Sequence, residues 1–117
     1  MNYEERIKAY DYVLVCLKDS QRYLEEALSF SFSDIESQRN SAPDFMNYAF
    51  LTSEPYIAAA RNKLETLGDS AKELLSEENT MLLMKDLADG QTQLKHIIEV
   101  LEKTYNIVME ARTCLLK

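Results

Sequence analysis

Only two glycines and two prolines occur in 117 residues, and tryptophan is absent. All-β folds place such turn residues at every hairpin, so their scarcity argues against a sandwich or barrel and favours long helices. Histidine occurs once, as His96, and cysteine twice, as Cys16 and Cys114. Zinc sites need short Cys/His pair spacings, which these three scattered residues lack. A dinuclear carboxylate site in a bundle needs Glu-x-x-His pairs, and position 93 is glutamine. Gly68 and Gly90 stand too far apart to form a phosphate-cradling loop. One histidine and no glycine elbow leave the serines and cysteines without the base a nucleophile needs. No catalytic residue, metal or cofactor is therefore expected.

Clusters of positive charge are missing as well. The net charge is −7, and between Leu64 and Gly90 seven acids face only Lys72 and Lys85. Displacing counterions from phosphates needs grouped Lys and Arg, so nucleic acid is not an expected partner. The longest apolar run is Tyr12–Leu17, against the roughly 20 residues of a membrane span. Residues 1–8 carry two acids and lead into no cleavable signal pattern, so a reduced, cytoplasmic setting is expected. Helical rise puts Cys16 and Cys114 roughly 20–25 Å apart, too far for a disulfide.

What is present is helical periodicity. An apolar fraction of 46% with 28% charge suits one globular domain over residues 1–117. Asn2 and Glu5 form a capping-box pattern. From there the stripe Tyr3, Ile7, Tyr10, Leu14, Leu17, Gln21, Leu24, Leu28 predicts a helix to about residue 33. Residues 33–42 are polar, lack a stripe and read as the one real loop. A second stripe runs Met46, Phe50, Ser53, Ile57, Ala60, Leu64, Leu67, Ala71, Leu74. A third runs Met84, Leu87, Gln91, Leu94, Ile98, Leu101, Tyr105, Val108, Arg112, Leu115.

The fold expected is all-α, with helix over about three quarters of the chain. An antiparallel bundle of three long helices (about 3–33, 44–75 and 77–116), kinked at Pro55, keeps every register unbroken. The alternative is a four-helix up-down bundle broken at Gly68 and Gly90 (about 3–33, 44–67, 70–88 and 91–117), with Ser70 and Glu73 as a capping box. A continuous second helix would stack Glu65, Asp69, Glu73 and Glu77 at i,i+4, each pair costing about 0.2–0.5 kcal/mol.

Two features exceed what a minimal core requires. Phe30, Phe32, Phe45, Tyr48, Phe50 and Tyr56 crowd around the first loop, where they form either an end seal for the bundle or a protein contact. Apolar residues also overflow the stripes. Val15, Cys16, Leu82 and Met109 are expected to lack cover in a three-helix bundle, which points to a homodimer through the first and last helices. The leading expectation is a non-enzymatic protein-interaction module, an adaptor, chaperone-like or regulatory bundle. Rivals are a magnesium- or manganese-dependent nucleotide hydrolase using Glu73, Glu77, Glu78 and Asp86, and a purely structural self-assembling bundle.

Overall fold

A computed structural model describes residues 1–31 and 36–117, with Glu36–Arg39 described by backbone only. Helix makes up 88% of the described residues and none lies in a strand, as the periodicity predicts. Three helices are long: α1 (Tyr3–Ser31), α2 (Glu36–Thr66) and α4 (Leu87–Leu116). Between α2 and α4 lie a 3-10 helix (Ser70–Leu75) and the single-turn α3 (Glu77–Thr80).

The start of α1 follows the capping pattern. Asn2 Oδ1 accepts the Glu5 amide at 2.8 Å, and Asn2 Nδ2 donates to Glu5 Oε1 at 3.3 Å. Two adjacent faces of this helix are buried, one through Tyr10, Leu14, Leu17, Gln21 and Leu24, the other through Ala9, Val13, Cys16, Ser20 and Ala27. The reason is its position between two neighbours. Tyr23 stacks on Tyr56 and Phe30 on Phe45 of α2, while Asp11 pairs with Arg112 and Gln21 with Glu102 of α4. Both pairings are antiparallel, so α2 and α4 run parallel, on either side of α1, and make little contact with each other. The apolar run at Tyr12–Leu17 is thus explained by two-sided packing, and Cys16, expected to lack cover, is buried.

The polar residues inside the stripes have specific partners. Gln91 Nε2 donates to the Ser31 carbonyl at 2.9 Å, satisfying a backbone acceptor that the end of α1 leaves open. Arg112 Nε lies 2.5 Å from Asp11 Oδ1. Ser53, fully buried, donates its hydroxyl back to the Phe50 carbonyl at 3.0 Å.

Three boundaries differ from expectation. Residues 36–42 are helical rather than loop, and Pro43 lies inside α2. Glu, Gln, Arg and Ala are good helix formers, and a helix anchored by buried Ala42 and Met46 extends backward through them without a stripe. The second helix stops at Thr66 instead of running to 75. Gly68 adopts φ +68°, its amide bonds the Glu65 carbonyl at 3.0 Å, and the Asp69 amide bonds the Leu64 carbonyl at 2.9 Å. This pair of bonds is a Schellman ending. Asp69, freed from a column of like charges, caps the 3-10 helix by accepting the Ala71 amide at 2.9 Å. That capping role falls to Asp69, not Ser70.

The last helix begins at Leu87, capped by Asp86, whose Oδ1 accepts the Asp89 amide at 2.8 Å. Gly90 is therefore in the first turn of α4 and not a break. A Cβ there would lie 2.5 Å from Met46 Cε and 2.8 Å from Met84 Sδ, so its bare backbone lets three segments close together. Residues 69–86, the strap, run antiparallel to α2 and back toward the start of α4. Arg61 Nε donates to the Leu75 carbonyl at 2.6 Å, and Ala71, Leu75 and Thr80 are buried. The architecture is an up-down-up-down bundle whose third leg is irregular.

Candidate functional site

The strap does not close the gap beside α2. A half-open groove of about 400 Å³ lies between them. From α2 it takes Phe50, Ile57 and Ala58 as an apolar floor, with Glu54 and Arg61 at the edge. Thr80, Met81 and Leu82 of the strap form the opposite wall, next to Glu77. Leu51, 66% exposed, adjoins Glu54 and Ala58 on the outer face of α2, by helical spacing. Tyr48, equally exposed, lies one turn back.

Local sequence dictates this arrangement. The strap's last segment is extended, with Met81 at φ −82°, ψ 134°. Its side chains alternate: Met81 and Leu83 are exposed, Leu82 and Met84 half-buried. The Gln93 side-chain amide bonds both the amide and the carbonyl of Leu83, as a neighbouring strand would. Asp89 adds to the clamp, accepting the Lys85 amide at 3.1 Å and Gln93 Nε2 at 2.8 Å. The Gln93 donor, then the Lys85 amide and charge, hold the Asp89 carboxyl below its ordinary range.

The residues singled out in the sequence separate into four places. Phe50 and Leu82 meet in the groove, with Tyr48 outside it. Phe30 and Phe45, ring centroids 4.6 Å apart, seal the α1–α2 end. Val15 and Met109 are exposed on the α1–α4 seam, away from the groove. Cys16 is in the core, where burial pushes its thiol pKa up, and Cys114 is exposed; neither is bridged. Phe32 lies outside the described residues.

Sequence reading missed Ile57, Ala58 and Met81 as groove residues, and Leu51 as the exposed residue adjoining them. Leu51 carried a signal, being apolar and off the stripe, whereas Ile57 belongs to the stripe and looks like core. Glu73, Glu77, Glu78 and Asp86 are exposed along the strap. Among the described residues no three His, Cys, Asp or Glu side chains come close enough to hold a metal ion. No helix is long and apolar enough to cross a membrane. Neither a family model, nor a curated protein, nor a solved structure matches the chain.

Proposed function

We propose that the chain is a non-enzymatic protein-interaction module that receives apolar side chains of a partner in the groove between α2 and the strap. One observation carries this reading: a groove of about 400 Å³, floored by apolar side chains of α2, stays open between α2 and the strap. A pocket of that size takes one or two large side chains, and exposed apolar residues beside it extend the contact. Met81, exposed, lines the groove, and exposed Leu51 adjoins it by helical spacing.

Affinity capture with the wild type, Leu51→Glu and Val15→Glu tests it. Both substituted positions are exposed helix sites, so folding is retained. The expected result is a specific partner captured by the wild type and by Val15→Glu but not by Leu51→Glu. Equal capture by all three proteins, or none by any, rejects the groove. A thermal shift of several degrees with magnesium or manganese, abolished by Glu77→Gln with Glu78→Gln, supports the hydrolase instead.

A further inference from the structure

The strap wall of the groove is a backbone edge as well as an apolar surface. In extended chain, the amide and carbonyl of one residue point to the same side, and those of the next residue to the other. Gln93 of α4 holds both groups of Leu83. By this alternation the corresponding groups of Leu82 and Met84 point to the side opposite Gln93, and Leu82 itself lines the groove. Among the described residues these amides and carbonyls have no hydrogen-bond partner. The segment is thus a short extended stretch with one edge satisfied by a side chain and the other edge open.

The charge at the rim has a sign. Glu54 and Glu77 flank the groove and neither pairs with a cation among the described residues. Arg61, the one base in the lining, is half-buried and directs Nε to the Leu75 carbonyl.

Resting on the groove as the docking site, we infer that its occupant is an extended peptide segment of a partner protein. The segment pairs in β fashion with Leu82 and Met84, places a large apolar side chain over Ile57 and Ala58, and sets a Lys or Arg against Glu54 and Glu77. Edge addition of this kind derives affinity from main-chain bonds and selectivity from the pocket that alternate side chains enter. A helical occupant would use the same pocket but leave the Leu82 and Met84 backbone unpaired.

The test pans displayed random linear heptapeptides against the full chain. Enriched sequences are expected to alternate apolar residues and to carry Lys or Arg. Reversing the rim with Glu54→Lys and Glu77→Lys, both at exposed positions, weakens a selected peptide about tenfold or more. N-methylating the peptide amides that face the strap has an effect of the same order, whereas methylating the alternate set changes affinity less than about twofold. On binding, hydrogen exchange at the Leu82 and Met84 amides slows. Binding indifferent to N-methylation, or leaving those two amides unprotected, overturns the β-paired mode; if that binding is still lost with Leu51→Glu, the groove survives as a docking site. Failure to enrich any peptide overturns the inference, and partner capture with Leu51→Glu then decides the groove separately.

Discussion

Two buried polar residues of α1 have opposite energetic roles. Gln21 occupies a core position and donates Nε2 to Glu25 at 3.0 Å and to Glu102 at 3.2 Å. Its Oε1 is buried with no partner. An unsatisfied buried acceptor costs about 1–3 kcal/mol, while the two acceptors it serves are exposed and can bond water. Gln21→Met, close in length, is expected to raise stability by about 1 kcal/mol, read as an increased urea midpoint at unchanged slope. Tyr10 works the other way. Its hydroxyl donates to Asp69 Oδ2 at 2.9 Å and ties α1 to the turn after α2. Burial, then the hydrogen bond to Asp69 and the Asp69 charge, push the phenol above its ordinary 10.0. A raised pKa in the folded state means the folded chain holds this proton more tightly than the unfolded chain. The stabilisation is therefore complete below pH 10 and is lost as pH rises through the folded value. Tyr10→Phe should cost about 1 kcal/mol at neutral pH and flatten the decline in stability above pH 10 relative to wild type. The difference between urea titrations of the two proteins, followed from pH 7 to about 11, measures this.

Among the elements, Gly68 distinguishes a broken second leg from a continuous one. With φ at +68° and nothing within 4 Å of an added Cβ, Gly68→Ala meets backbone strain alone. The Schellman ending predicts a loss of about 1–2 kcal/mol, partly recovered by Gly68→Asn. A continuous helix predicts a gain of about 1 kcal/mol from the same alanine, so the sign of the change in urea midpoint decides. The three long helices were legible because Leu14, Leu17, Leu64, Leu94 and Leu101 repeat at helical spacing, and each is buried. The strap was not legible in the same way. Leu67, Ala71 and Leu74 keep the four-three rhythm through Gly68, and a 3-10 helix followed by an extended segment buries nearly the same positions that a helix would. The deciding signals were local: Asp69 as a cap, Asp86 with Asp89 at the start of α4, and Gln93 beside an alternating Met81–Met84. The groove was half visible, since off-stripe Leu82 marked one wall. Its floor consists of stripe residues, whose incomplete cover depends on how far the strap stands from α2.

For the whole molecule, the outstanding question is whether two copies associate through α1 and α4. The bundle is elongated, 53 × 22 × 18 Å, and two long helices, α1 and α4, form this seam. By helical spacing Asp11, Val15 and Lys18 face Arg112, Met109 and Tyr105 along it. The Asp11–Arg112 pair stands at one end of this stretch, and Lys18 over the Tyr105 ring, 4.4 Å from its centroid, at the other. Val15 is 60% exposed and Met109 40%, with Leu116 two turns further on. The structure thus reduces the proposed dimer face, because Cys16 is buried and Leu82 belongs to the groove. Burying an exposed aliphatic side chain contributes about 1.5–3 kcal/mol at best, and two or three of them barely offset the lost rigid-body freedom of association. Stable interfaces bury about 800 Å² on each partner, more than this patch supplies without the charged residues around it. A dimer here is expected to be weak, with a Kd no tighter than about 100 µM, and to be lost with Val15→Glu. Sedimentation equilibrium at about 100 µM should return a mass between the 13.5 kDa of one chain and twice that value, falling to one chain with Val15→Glu. A wild-type mass fixed at one chain removes the seam as an interface. A full dimer unaffected by Val15→Glu moves the contact elsewhere, and repeating the run with Leu51→Glu then tests the groove as the surface where two copies meet.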